Sequence, residues 1–534
     1  MSNETQHDEQ RPIEGAFGTV TSTSMDGVRT WKRKLATFFA ILGPGLIVMV
    51  GDNDAGGIST YAQAGQNFGY SLLWVLPLLI PVLIINQEMV VRLGAVTGVG
   101  HAKLIRERFG RAWAWFAAGD LLLLNFFTIA TEFIGIGLAL EYFGISKYVS
   151  VPIAGIALIG MTASGSFRRW ERFMFVFVAA NFLVIPLALQ SKIHGPSVLH
   201  ALTHPGIAGG ETSTSVLLVV AIVGTTIAPW QLFFQQSNIV DKRITTRFIN
   251  YERVDTILGS LVVVFAAVLL IATVAAATAG TSAAGHFTDG LGVAQAISHN
   301  VSHLAGSFFA LILFNASLIG AAAVTLTTSY AVGDVLTVSV SLNNGWKEAK
   351  GFYGMFAALV GLAVFMILLP GAPLGLIVTA VQALAGILLP ASTIFLLLLC
   401  NDRAVLGPWI NRTWLNCVAV VVISLLFALS LTLTLTTLFP HVNVVQLVHV
   451  LGLLLVAGWF IGAVVLFFYR RRNPLAAVEF TGRRELWRMP PVALLARPTW
   501  TIGRRITMYV MGTYLVLSIL LLFVKAIQLA GGGH

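Results

Sequence analysis

A chain of 534 residues that is 57% hydrophobic and only 10% charged is not an ordinary soluble domain, in which about a quarter of the residues carry charge. The net charge of +10 would suit a nucleic-acid partner, but the positions of Lys and Arg assign it to membrane orientation instead. Two cysteines, Cys400 and Cys417, are too few for a disulfide framework or a thiolate metal cluster.

The first thirty residues are polar and lack the short apolar core of a cleaved signal. Residues 1–35 are therefore expected to form a disordered cytosolic N-terminal tail. Apolar runs of bilayer-spanning length follow at 37–67, 71–94, 112–141, 148–164 and 172–190. A second group lies at 215–239, 254–279, 304–336, 351–370 and 374–400. The runs 414–439, 445–469 and 506–528 bring the expected number to thirteen. Alternate loops carry the basic residues: Arg29, Lys32, Arg33 and Lys34, then Lys103, Arg106, Arg108 and Arg111, then Arg168, Arg169 and Arg172. The same side continues through Lys242 and Arg243 to the cluster from Arg470 to Arg505, against Lys147, Lys192 and Lys525 opposite. This bias puts the N-terminus in the cytosol, and no nucleic-acid partner is expected.

Two spans are interrupted. The first breaks at GDNDAGG (51–57), the sixth at GTTIAPWQ (224–231), where Pro229 removes a backbone donor. Gly/Pro-interrupted spans at matching places in two groups of five point to a transporter with inverted repeats, its substrate held near the midplane by half-helix ends. The expected organisation is an all-α polytopic membrane protein. One repeat covers 36–192 (spans 1–5) and the other 212–400 (spans 6–10). Additional C-terminal helices occupy 401–534, with a basic cytosolic segment at 471–505.

Ionisable groups at membrane depth are costly and tend to be functional. Asp52 and Asp54 lie in the first break, where a carboxylate beside freed carbonyls suits a hard divalent cation. The alternative places them at a helix end near water. Glu132, in FFTIATEFIGIG, reads either as a charge near the cation path or as a protonated acid bonded to a neighbouring helix. Gln382, in VTAVQALAGILLP, offers an amide ligand or an interhelical hydrogen bond. Gln231, Gln235 and Gln236 follow the second break and are expected to face an aqueous cavity. His101 is read as interfacial, and no histidine occupies the core of a span in the first half of the chain.

The stretch GPGLIVMVGDNDAGGISTYAQAGQNFGYSLLWV, with LIRERFG and TEFIG after it, resembles the Nramp divalent-metal transporters. Asp54 takes the place of the Asp of the family's DPGN motif, Ala55 that of its Pro and Gly57 that of its Asn. APWQLFFQQS lies over MPHNLYLHS, so Ala228 stands where the metal-binding Met would be. Trp230 and Gln235 stand where two histidines would be. Ile129 replaces an Asp linked to proton transfer, Glu132 is kept, and Gln382 matches a Gln that helps bind metal. The resemblance covers roughly the first ten spans and implies a LeuT-like fold. Sulfur is a soft ligand that favours transition metals, so Ala228 removes that bias. Gly57 and Ala228 together imply a wider, oxygen-only site for a cation that keeps waters, as Mg²⁺ does. The substitutions resemble those of the Nramp-related magnesium transporters, a bacterial branch that does not couple metal to protons.

The expected activity is import of Mg²⁺, with Mn²⁺ also accepted, across the bacterial inner membrane by alternating access and without protons. No enzymatic activity and no cofactor beyond the transported ion are expected, and the chain is read as a monomer in the bilayer. Asp54 is the expected charged ligand, joined by the Ala55 and Thr225 carbonyls and the Gln382 amide. Glu132 supplies negative potential, while Gly57 and Ala228 shape the space. One rival is a proton-coupled Mn²⁺/Fe²⁺ symporter. Another is an amino-acid/cation symporter, whose carboxylate substrate Asp54 would repel.

Overall fold

In hydrocarbon every backbone polar group must be satisfied within the chain, which leaves helices as the spanning elements of such a sequence. The computed structural model describes residues 12–20, 30–207, 210, 212–369, 374–439, 441–472, 484–495 and 502–530. A hairpin of β1 (Ile13–Gly15) and β2 (Gly18–Val20) precedes α1 (Trp31–Ile41), α2 (Pro44–Gly51) and α3 (Ala55–Phe68). Then come α4 (Val75–Thr97), α5 (His101–Phe109), α6 (Arg111–Glu141), α7 (Lys147–Thr162), α8 (Phe167–Ala180), α9 (Val184–Gln190) and α10 (Gly195–Thr203). The second half holds α11 (Ser213–Thr226), α12 (Pro229–Asp241), α13 (Ile249–Thr278), α14 (Gly290–Asn300), α15 (His303–Leu336), α16 (Lys350–Leu368) and α17 (Leu374–Cys400). The chain continues through α18 (Arg403–Leu406), α19 (Thr413–Leu438), α20 (Val444–Arg472) and α21 (Ile502–Ala530).

Among the described residues ten segments are long and apolar enough to cross a membrane, or eleven if the bent pair α1–α2 counts as one. Each of the thirteen expected ranges lies largely on helix, but α7 and α21 are not among those ten or eleven. The first is the divided α1–α2–α3, the fourth is the 16-residue α7, and the last is α21. Helices α6 and α15 pack along one another at the centre, α17 lies against α11 and α3, and α13 against α2, α3 and α4. Apolar side chains of α20, such as Leu453 and Phe460, stay exposed, as a lipid-facing surface requires.

The expected disordered tail is corrected for residues 12–20 and 30–35; residues 1–11 and 21–29 lie outside the described residues. The two strands pair antiparallel, Ile13 with Val20 and Gly15 with Gly18. Ile13 and Val20 are buried against α1 and α8. A β-carbon on Gly15 would lie 1.9 Å from the Ala40 carbonyl oxygen, so only glycine permits this approach.

A buried charge network fastens the hairpin to the helices. The Lys242 ammonium donates to the carbonyls of Ile41 (2.7 Å) and Leu42 (2.9 Å) and to Glu171 Oε1 (2.6 Å). Glu171 Oε2 accepts the Ala16 N–H at 2.6 Å. Asp255 accepts the N–H groups of Gly43, Gly45 and Leu46 at 2.8–3.0 Å, which satisfies the first turn of α2, a turn without helical partners of its own. Gly43 has φ +152, and a β-carbon there would meet Glu171 Oε1 at 2.1 Å. The chain therefore bends by 48° between α1 and α2, a break the hydropathy pattern did not announce.

Candidate cation site

The two expected breaks are present. Asp52–Asp54 separate α2 from α3, and Ile227 and Ala228 separate α11 from α12. Asp54 is the N-cap of α3: its Oδ1 accepts the Gly57 N–H at 2.7 Å. Glu132 projects from α6 and its Oε2 accepts the Ala55 N–H at 3.0 Å. Gly320 of α15 makes room for both acids, since a β-carbon there would lie 2.6 Å from Glu132 Oε2 and 2.8 Å from Asp54 Cβ. Gln382 of α17 lies over Gly56, where a β-carbon would sit 1.7 Å from its Nε2. Gly224 of α11 admits α17 just as closely, 2.5 Å from the Gln382 carbonyl oxygen.

Asp54, Ala55, Gly57, Glu132, Thr225 and Gln382 thus gather from four helices, α3, α6, α11 and α17. Ala228 caps α12 across the second break, in extended conformation (φ −79, ψ 144), and is buried. Three details differ from expectation. Ala55 is the first residue of α3, so it offers its N–H to Glu132 while its carbonyl lies inside the helix. Gly57 does not open space: a β-carbon there would meet Asp52 O at 2.9 Å and the Thr225 hydroxyl at 3.2 Å. The space of the missing side chain is taken up by Thr225 and the Asp52 carbonyl. Gln235 and Gln236 face no aqueous cavity but are buried, donating to Thr256 Oγ1 (2.9 Å) and Val99 O (2.7 Å).

Gln231 alone of that trio serves the break. Its Nε2 donates to Asp52 Oδ1, and its Oε1 accepts from Gln87 of α4 at 3.2 Å. Sequence reasoning missed Gln87, Gly320 and the Thr225 hydroxyl. None has a local signature, because each matters only through a neighbour on another helix.

The electrostatics favour a cation. Asp52, Asp54 and Glu132 are 0–3% exposed, and the donors that reach them from Gly57, Ala55 and Gln231 are neutral. Buried charge without a counter-charge is expensive. Asp52 Oδ2, Glu132 Oε1, Thr225 Oγ1 and Gln382 Nε2 are all buried without a hydrogen-bond partner. An amide flip would present the Gln382 oxygen in place of its nitrogen. The last carbonyls of α2 and α11, which have no intrahelical partners, carry the negative ends of their helix dipoles. Among the described residues no group of three or more His, Cys, Asp or Glu is arranged to hold a metal. An ion here would be held by a mixed set of at most two acids, an amide and a hydroxyl.

His101 is buried rather than interfacial, as Gln236 and Phe233 enclose it. Burial pushes its imidazole down to about 4. The folded chain then binds fewer protons than the unfolded one between pH 6.5 and 4, so stability is complete above 6.5 and falls as pH drops through that window. The loss approaches about 3 kcal/mol at pH 4. His101→Gln is expected to flatten this acid limb in thermal-unfolding curves recorded in detergent.

The bundle is similar to solved transporters. The Eremococcus coleocola manganese transporter aligns over 84% of this chain and 98% of its own, with a TM-score of 0.60 and 20% identity. MHP1, a nucleobase-cation-symport-1 family transporter, aligns over 82% and 94%, with a TM-score of 0.50 and 14% identity. The fold and the twice-broken bundle define a polytopic membrane transporter of LeuT-like fold. The model of the Natural resistance-associated macrophage protein-like family, Nramp, matches residues 45–436. The divalent metal cation transporter MntH 1 of Pseudomonas aeruginosa is 31% identical over 422 residues, 75% of this chain and 92% of that protein. MntH of Klebsiella pneumoniae is 25% identical over 405 residues. The chain belongs to the Nramp family.

Proposed function

We propose that this protein carries Mg²⁺, and Mn²⁺ as a second cargo, into bacteria across the inner membrane by alternating access, with no coupled proton. The observation that carries this reading is the donor chemistry at the two breaks. The unpartnered atoms are carboxylate oxygens, a hydroxyl and an amide, and Ala228 occupies the position where a sulfur ligand would favour softer metals. Hard oxygen donors suit Mg²⁺, which keeps part of its water shell. Asp54 is the charged ligand, with Thr225 and Gln382 beside it. Glu132 orients Ala55 and adds negative potential. Ile129, buried on α6, offers no proton carrier there. An inside-negative potential of 100 mV contributes ~2.3 kcal/mol per charge, which is doubled for a divalent ion.

The test is uptake by the full chain in proteoliposomes loaded with a pH dye. Mg²⁺ is expected to enter without internal acidification. Metal-driven acidification would overturn the uncoupled mechanism, and entry of Mn²⁺ without Mg²⁺ would overturn the cargo. Ala228→Met places a thioether at the break. It is expected to strengthen Cd²⁺ competition by about tenfold, or ~1.4 kcal/mol, and to slow Mg²⁺ uptake.

The second reading, a proton-coupled Mn²⁺ symporter, draws on the relatives, which are named as manganese and divalent metal cation transporters. In that case wild type itself would show the strong Cd²⁺ competition.

A further inference from the structure

A groove away from the cation site, about 1050 Å³ in volume, lies between the β1–β2 hairpin, α1 and α8, just above the roughly 300–1,000 Å³ of small-molecule sites. Its walls are apolar: Phe17, Phe39, Val176 and Phe182 line it and are 43–66% exposed. Arg33 and Arg172 line the end that the basic residues mark as cytosolic.

We propose that this groove holds one anionic phospholipid of the cytosolic leaflet, whose acyl chain braces the lower half of the first span. Charge and depth point to this occupant. The Arg172 Nε donates to the Ala16 carbonyl at 3.1 Å, which anchors the guanidinium on the hairpin and leaves its other N–H groups for a phosphate. Arg33 stands between Lys32 and Lys34 on α1, whose Trp31 is exposed at the helix start as interfacial tryptophans are. Each basic residue near an anionic leaflet contributes about 1 kcal/mol. From Arg172 on α8 to Phe182, in the turn that follows it, the chain climbs roughly 15 Å, half of a ~30 Å hydrocarbon core. The groove therefore has the reach of one leaflet, with the charged end at headgroup level.

The groove also touches the transport machinery. Leu42 and Leu46, at the α1–α2 bend, form part of its wall. Val178 and Phe182 line both this groove and a small cavity that reaches Asn53 in the first break. An acyl chain seated here supports α2, the half-helix that alternating access has to move.

Native mass spectrometry of the full chain, with phosphatidylglycerol or phosphatidylcholine added back, tests the site. Wild type is expected to retain one phosphatidylglycerol with about tenfold preference over phosphatidylcholine. Arg33→Gln/Arg172→Gln is expected to lose the preference, and Val176→Trp, which fills an exposed wall, to lose the bound lipid. Equal retention of both lipids by wild type would overturn the proposal. So would displacement of phosphatidylglycerol by millimolar inorganic phosphate, since the arginines would then be reading a free anion. Retention is measured without metal flux, so it stands or falls separately from the cargo. Mg²⁺ uptake by wild type is expected to rise several-fold when phosphatidylglycerol is added to phosphatidylcholine liposomes, and uptake by Arg33→Gln/Arg172→Gln to stay flat. Equal gains in both would overturn the brace.

Discussion

Asp54→Asn is expected to lower Mg²⁺ uptake by about a hundredfold while the protein stays folded. Asparagine has the same shape, and its oxygen still accepts the Gly57 N–H as an N-cap. Helix α3 therefore keeps its start, and only the negative charge is lost. A contact to an ionised group is worth about 1.5–3 kcal/mol, and a hundredfold corresponds to ~2.7 kcal/mol. Asp54→Ala removes the cap as well, costing about 1 kcal/mol of stability, so asparagine is the cleaner probe. Asp52→Asn is expected to cost less, about tenfold, because one Asp52 oxygen is already taken by Gln231. Initial-rate uptake alongside a gel-filtration profile measures both. Wild-type uptake by a monodisperse Asp54→Asn protein would sink the assignment.

Lys242→Met is expected to destabilise the protein by about 3–5 kcal/mol, the usual cost of stranding one partner of a buried ion pair. Both side chains of the pair are fully buried. Without the ammonium, Glu171 keeps only the Ala16 N–H, and the Ile41 and Leu42 carbonyls lose their donor. The double variant Lys242→Met/Glu171→Met is expected to recover part of the loss, because it removes the stranded charge and refills the space with apolar volume. The unpaired N–H and carbonyls still cost about 1–3 kcal/mol each. Thermal unfolding in micelles compares the three proteins. If the double variant is no more stable than the single one, the pair is not the unit that holds the α1–α2 bend.

The sequence by itself determined the spanning helices, because a run of apolar residues has one stable fate in hydrocarbon. It also determined where two of them open. Glycines beside Asp52 and Asp54 weaken α-helix locally, and Pro229 cannot donate to the preceding turn. That carboxylates stand in the first break was legible for the same local reason, whereas the capping role of Asp54 on α3 was not.

Only the tertiary structure decided how these pieces meet. Gly57 read as open space, yet the Thr225 hydroxyl fills it. Gln235 and Gln236 read as cavity residues, yet each bonds a neighbouring segment. The polar N-terminal region read as disorder, yet a short hairpin is held by one N–H on Glu171 and by glycines that let backbone pass within contact of backbone. Close approach and buried pairing join residues distant in the chain, from Gln235 and Thr256, 21 positions apart, to Ala16 and Glu171, 155 apart. Hydropathy and turn chemistry act over a few residues, so neither could show what Gly43, Gly56 and Gly320 are spared from meeting.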